Sequence, residues 1–420
     1  MKYVDLKYRP GREEIIAEYF LEPNRVSFEK ACEHLAGESS IGTWTDVKTM
    51  KPRIARLKPH VFSLNKREGI VKIAYPPELF EPGNVPQLMS SIGGNIFGMK
   101  AIRNLRLLDI RLPERYVKSF RGPKFGIPGV RSRLHIRKRP LLGTIVKPKL
   151  GLKEKEHAKS AYESWIGGMD IVKDDENLTS MGFNHFEKRV EETLKMRDRA
   201  EEKTGEGKFY MPNVTAETHE MMRRANFVRK QGCEYAMVDI VSVGWSGLQT
   251  LRNYNDHFSL ILHAHRAGHG ALTKNPRHGI SMVVIAKLAR LIGVDQIHVG
   301  TAKVGKMGDF ETPEVEEEME SRFVSEGKHI LEQFWFDIKP VFAVASGGLH
   351  PGSIPKLLKK MGNNVIIQAG GGIHGHPKGS ESGSKAMRQS LEAAMKGIPL
   401  KDYARNREEL SIAIEKWGVG

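Results

Sequence analysis

Gly143-Thr144-Ile145-Val146-Lys147 is a short apolar run that ends in a lysine and is closed by Pro148. Runs of the same build return at 169–173, 209–213, 236–240, 259–263, 296–300, 341–346 and 365–370, each running out into polar or glycine residues. Helical patterns fill most of the intervals, at 186–202, 218–231, 280–292 and 312–334. The last has Thr312 as a cap and Pro313 at the first helical position, where a missing N–H costs nothing. Eight such strand–helix units predict an α/β architecture, a (β/α)8 TIM barrel. A doubly wound open sheet competes on the same alternation.

Upstream the texture is mixed. Strands are predicted at 15–20 and 69–75, and a helix at 27–36 with Ser27 as its cap. The breaker-rich loop 122–129 marks a boundary. The reading is therefore a smaller α+β N-terminal domain over 1–122, then a barrel domain with C-terminal helices over 123–420.

With 40% hydrophobic and 28% charged residues in 420, the chain can build a sizeable core, which excludes disordered, collagenous and low-complexity classes. No apolar stretch reaches the roughly 18 residues of a membrane span, and the first residues lack a signal-peptide core. Cys32 and Cys233 cannot form a disulfide framework, so a reduced, cytoplasmic setting is expected. The 66 Lys+Arg against 50 Asp+Glu leave a net charge of +16. Basic runs at 48–67 and 131–139 invite a nucleic-acid reading, but neither is interleaved with stacking aromatics. No zinc-finger spacing or basic zipper accompanies them, so no nucleic-acid partner is expected. Solvated faces account for such runs more simply, and a highly anionic small substrate would also draw on the positive charge.

In a barrel the chemistry lies at the C-terminal ends of the strands. Strand one ends in Lys147-Pro148-Lys149, where alternation would send both lysines to one face and each would disfavour the other's charge. Strand two ends in Lys173-Asp174-Asp175-Glu176, three acids that are costly at a buried strand end unless a cation compensates. Oxygen donors of this kind suit Mg²⁺. Alternation puts Lys173 and Asp175 on one face and Asp174 on the other. Strand five ends in His263-Ala264-His265-Arg266, with His269 beyond, and strand six carries His298. The glycine-flanked loop 300–308 could deliver Lys306 over the site, as lids do. Strands seven and eight end in Ser346-Gly347-Gly348 and Gln368-Ala369-Gly370-Gly371-Gly372, the positions where this fold usually binds phosphate. Taken singly, each feature also has a bland reading: snorkelling lysines, a solvated acidic turn, structural histidines and ordinary glycine turns.

Together, 143–151 and 167–177 resemble the large subunit of ribulose-1,5-bisphosphate carboxylase/oxygenase (Rubisco), as do Glu38-Ser39-Ser40-Ile41-Gly42-Thr43-Trp44 and Gly94-Asn95-Ile96-Phe97-Gly98. The resemblance covers nearly the whole chain. It implies a ferredoxin-like N-terminal domain, Mg²⁺ held by Asp175, Glu176 and a CO2-derived carbamate on Lys173, and ribulose 1,5-bisphosphate, CO2 and O2 as substrates. The carbamate would take the proton at C3. Lys147, tuned by Lys149, would move protons at the reacting carbons, His265 would assist hydration and cleavage, and Lys306 would stabilise the new carboxylate. Arg266 and His298 would hold one phosphate, and Thr43, Trp44, Gly348, Gly370 and Gly371 the other. Ser346 would touch the sugar backbone, and Gly347 and Gln368 complete the substrate set. Glu38 and Asn95 would come from a neighbouring subunit, implying a homodimer with shared sites, alone or closed into a ring of dimers.

Three departures set the chain apart from the plant type. The loop from His298 to Lys306 is one residue longer, Ala369 replaces a Phe, and Ile145 replaces a Thr that touches substrate. The chain is also shorter than the plant enzyme at both ends. These resemble the archaeal form III, which implies an assembly without small subunits and a part in nucleotide salvage. Rubisco-like relatives that enolise other phosphorylated sugars are the alternative. Such relatives typically lose part of the set that this sequence keeps in Lys306, Glu38, Asn95 and His265.

Overall fold

The computed structural model describes residues 1–420 apart from Trp44, Asp46 and 306–310. It resolves into two compact units. One joins Met1–Gly122 to Gly268–Gly293 and Ser321–Lys339, and the other comprises Pro123–Ala267, Val294–Glu320 and Pro340–Gly420.

The first unit carries an antiparallel sheet of β1 (Ile15–Pro23), β2 (His60–Asn65), β3 (Ile70–Tyr75) and β4 (Ile102–Arg111), in the order β4-β1-β3-β2. The two-residue strand Gly279–Ile280 adds in parallel to the β4 edge. The helix Phe28–Glu38 starts where expected, with Ser27 Oγ accepting the Lys30 N–H at 3.1 Å. Neither β2, hidden inside a basic run, nor β4 was anticipated from the sequence. Asp109 of β4 and Lys287 of the helix Met282–Ile292 are both fully buried and lie 2.7 Å apart. The Leu331 N–H adds a 2.7 Å hydrogen bond to the same carboxylate.

The second unit is the barrel. Its eight strands are β5 (Leu141–Ile145), β6 (Ile171–Lys173), β7 (Phe209–Met211), β8 (Tyr235–Asp239), β9 (Ile261–His265), β10 (Gln296–His298), β11 (Phe342–Ser346) and β12 (Val365–Gln368). They lie in the order β7-β6-β5-β12-β11-β10-β9-β8, and every ladder is parallel. Between β7 and β8 a single bridge, Asn213 to Met237, nearly closes the ring. Alternate residues point inward and fill the lower barrel: Leu141, Ile171, Phe209, Tyr235, Ile261, Phe342 and Ile366 pack in one buried cluster. The helix Gly126–Leu134 plugs it with Ile127, Val130 and Leu134, so part of the loop expected at 122–129 is helical.

Two further expectations are corrected. The helix predicted over 312–334 is only Thr312–Glu320, because the chain passes to the other unit at Ser321. It then forms a small hairpin, Phe323–Val324 against Gln333–Phe334. The basic run at 131–139 is partly framework rather than solvated face. Arg131 donates to the carbonyls of Ile136, Arg139 and Asn363, and Arg139 pairs with the buried Asp170 at 2.6 Å.

Candidate active site at the barrel mouth

Lys173 ends β6 facing the interior, 1% exposed. Its Nζ donates to the Asp174 carbonyl at 2.7 Å, contacts Met237 Sδ at 3.1 Å and lies 4.0 Å from Glu176 Oε2. Burial lowers its pKa, with the charges of Glu176, Asp175, Asp239 and Asp174 opposing. Burial thus acts to favour the neutral amine over the ammonium at this position.

The two aspartates that follow face opposite ways, as alternation requires. Asp174 is fully buried among Arg189 (3.1 Å), His157 (3.1 Å) and Tyr210 Oη (2.6 Å). Burial would raise its pKa, but Arg189 and His157 hold it well below the ordinary carboxylate range. It is a framework acid. Asp175 turns to the mouth, where Lys147 Nζ approaches to 2.5 Å and Asn177 donates from its backbone and side chain at 3.1 and 3.0 Å. These bonds outweigh burial and lower its pKa.

The expected lysine pair is not what surrounds Lys147. The chain bends over 147–150 directly after β5, so period-two alternation does not carry through to Lys149, which is exposed. The charge beside Lys147 is the Asp175 carboxylate rather than a second ammonium.

His265 ends β9, and its register partner on β8 is Asp239. Its Nδ1 is 3.0 Å from Asp239 Oδ1, and its Nε2 is 3.6 Å from Glu176 Oε2. His298, 6% exposed, stacks edge-on against His265 at 4.7 Å between centroids and meets His263 Nε2 at 2.9 Å. His263 Nδ1 is satisfied by Gln296 Oε1 at 3.1 Å. Burial, then neighbouring positive groups, pushes both His263 and His298 well below the usual imidazole pKa. His263 was named in the strand-five run, whereas Asp239 was not singled out, because no chemistry was read at the end of the fourth strand.

Arg266 follows His265 and lies close enough to His298 for its charge to disfavour imidazolium there. Ser346 ends β11, and Gly347 and Gly348 take φ values of 129° and 73° that side chains rarely adopt. Gly370 and Gly371 follow β12. Gln368 is fully buried beside Gly143, and its amide has no hydrogen-bond partner among the described residues. Glu38, Thr43 and Asn95 belong to the first unit: Glu38 ends the helix Phe28–Glu38, and Thr43 and Asn95 are exposed. Trp44 and Lys306 lie outside the described residues. His269, also in the first unit, bonds Thr273 Oγ1 at 2.9 Å.

The catalytic-domain model of the ribulose bisphosphate carboxylase large chain matches residues 126–417, and the N-terminal-domain model of the same chain matches 2–116. The chain belongs to the Rubisco large-chain family. The curated relatives it matches are ribulose bisphosphate carboxylases, and the chain is a carboxylase, a class of carbon–carbon lyase. The ribulose bisphosphate carboxylase of Methanosarcina mazei is 51% identical over 99% of this chain and 98% of its own. An octameric Rubisco from Pyrococcus horikoshii, solved with sulfate ion, superposes with TM-score 0.92 at 47% identity, covering 99% of this chain and 96% of its own. A dimeric archaeal Rubisco from Hyperthermus butylicus superposes with TM-score 0.93 at 46% identity, covering 100% and 99%. Among the described residues no helix is long and apolar enough to cross a membrane.

Proposed function

We propose that the chain adds CO2 to the enediolate of ribulose 1,5-bisphosphate to give two 3-phosphoglycerate. O2 would compete, giving 3-phosphoglycerate and 2-phosphoglycolate. The observation that carries this reading is Lys173, a buried amine 4.0 Å from Glu176, in the same barrel mouth as the Lys147–Asp175 pair.

The donor set fits a magnesium ion activated by CO2. Lys173 Nζ, as the neutral amine, would add to CO2 with loss of a proton to give a carbamate, whose oxygens would join Asp175 and Glu176 in holding the ion. Among the described residues no three His, Cys, Asp or Glu side chains are grouped to hold a metal, so the two carboxylates need that further donor. When bound, Mg²⁺ would polarise the substrate carbonyl and stabilise charge developing on enolisation, with the carbamate as base.

The chain's own groups account for the rest. Lys147, at the mouth and paired to Asp175, is placed to hold and return protons at the reacting carbons. His265, between Asp239 and Glu176, assists proton transfer in hydration and cleavage. Arg266 and His298 take one phosphate, and Thr43, Trp44, Gly348, Gly370 and Gly371 the other. Ser346 touches the sugar backbone, with Lys149, Gly347 and Gln368 supporting, and Lys306 stabilises the new carboxylate.

Glu38 and Asn95 would be supplied by a second copy. The working unit would be a homodimer, alone or in a ring, without small subunits. We assign it to archaeal form III, in nucleotide salvage in the cytoplasm, with the working domains 1–122 and 123–420. Protein preincubated with CO2 and Mg²⁺, then given ribulose bisphosphate and labelled bicarbonate, should yield labelled 3-phosphoglycerate. Folded protein that makes none would refute the reading.

A further inference from the structure

Thr144, the penultimate residue of β5, is buried, and its hydroxyl donates to the Ala369 carbonyl at 2.7 Å. That uses its only hydrogen. The 3.1 Å contact between Thr144 Oγ1 and His374 Nε2 is therefore made by the imidazole N–H donating to the threonine oxygen. The other ring nitrogen, Nδ1, is 3.1 Å from Ser380 Oγ, and in this tautomer it accepts from that hydroxyl. Both nitrogens are thus satisfied in the neutral ring. Burial, and then the charge of Lys147, pushes the His374 pKa down to about 4.

The ring is carried on the single turn Gly371–His374, directly after Gly370. Two of its flanking and internal glycines, Gly370 and Gly372, are tightly packed, while Gly371 faces open space. A Cβ on Gly370 would come 2.9 Å from Lys147 Cε, and one on Gly372 would come 2.1 Å from the Leu349 carbonyl oxygen. Gly370, at the start of the turn, therefore packs against the stem of Lys147, and the imidazole is a polar link from that turn to β5.

We propose that His374 is a positioning residue: by joining Thr144 on β5 to Ser380, it sets the placement of the glycine turn at 370–372 relative to the Lys147 ammonium. The proposal rests on the carboxylase reading for the identity of the substrate. A bisphosphate has a fixed span between its phosphate and its reacting carbons. A glycine turn displaced from Lys147 therefore cannot serve both ends, and binding and alignment suffer together.

The test measures binding of ribulose 1,5-bisphosphate by calorimetry, along with KM and kcat, in His374→Leu, His374→Gln, Thr144→Val and the Thr144→Val/His374→Leu double variant. His374→Leu should weaken binding roughly tenfold, the equivalent of one buried hydrogen bond, with KM rising more than kcat falls. His374→Gln, whose amide N–H can replace Nε2–H, should restore most of the affinity. The double variant should lose less than the sum of the two single losses, because the Thr144–His374 bond is removed by both. Unchanged affinity in His374→Leu, no rescue by Gln, or additive losses would each overturn the proposal. If His374→Leu does not fold, Thr144→Val breaks the link from the other end, and its unchanged affinity would overturn the proposal equally. Wild-type protein that binds the bisphosphate without forming 3-phosphoglycerate would refute the carboxylase reading alone.

Discussion

Lys147 Nζ lies 2.5 Å from Asp175 Oδ2, so the cation that closes the first barrel strand neutralises a carboxylate beyond the end of the second. The pair links two functions assigned to separate strands, proton handling and metal binding. Lys147→Met should leave Asp175 without its counter-charge and remove a proton carrier. We expect labelled 3-phosphoglycerate formation to fall by roughly 10²–10⁴-fold, the usual worth of a positioned acid or base. A loss under tenfold would show that Lys147 is not that group.

Lys173→Met tests activation separately from folding. The amine is buried against Met237 Sδ and the strand end, so an apolar chain of similar volume should be accommodated there. The variant should unfold as a cooperative unit like the parent, yet show no gain in activity from preincubation with CO2 and Mg²⁺. Retained activation would refute the carbamate.

Asp170 gives a pH prediction away from the mouth. It is 1% exposed and accepts from Arg139 at 2.6 and 2.7 Å, from Arg388 at 3.1 Å and from the Leu142 N–H at 2.8 Å. Burial would raise its pKa, but the arginine bonds prevail and lower it. Relative to an unfolded value of about 3.9, this group stabilises the fold above that pH. The stability is lost as pH falls through the lower folded value. Asp170→Asn should cost roughly 3 kcal/mol at neutral pH, with the deficit shrinking below about pH 4. Denaturant unfolding at pH 7 and pH 3.5 would measure it, and a deficit independent of pH would count against the assignment.

Gly305 stands against Gly347 so closely that a Cβ would lie 2.0 Å from the Gly347 carbonyl oxygen. Gly305→Ala must push the loop after β10 off the loop after β11. Because the strands are untouched, far-UV circular dichroism should be unchanged while turnover drops roughly tenfold or more. Full activity would show that this close approach is dispensable.

The barrel was legible because eight apolar runs recur with helical spacing between them, and burial inside a parallel sheet demands that pattern. The opposed faces of Asp174 and Asp175 followed from the same period. Alternation failed at Lys147 and Lys149 because the chain bends over 147–150 directly after β5, whereas no bend falls at 174–175 after β6. The helix over-extended past Glu320 because amphipathic spacing does not register that the chain is leaving one unit for another. Asp239 and His374 acquire their meaning from partners 26 and 230 residues distant, His265 and Thr144, and no local pattern contains that.

The buried pair Asp109–Lys287, with the Leu331 N–H on the same carboxylate, has a consequence for biosynthesis. The ribosome releases β4 long before it reaches Lys287 or Leu331, so the nascent sheet holds an acid whose counter-charge does not yet exist. The unit that begins first finishes late, after six of the eight barrel strands have been translated. A growing chain of this protein must keep its N-terminal sheet soluble while it waits, and a fragment cut after Gly122 would wait indefinitely.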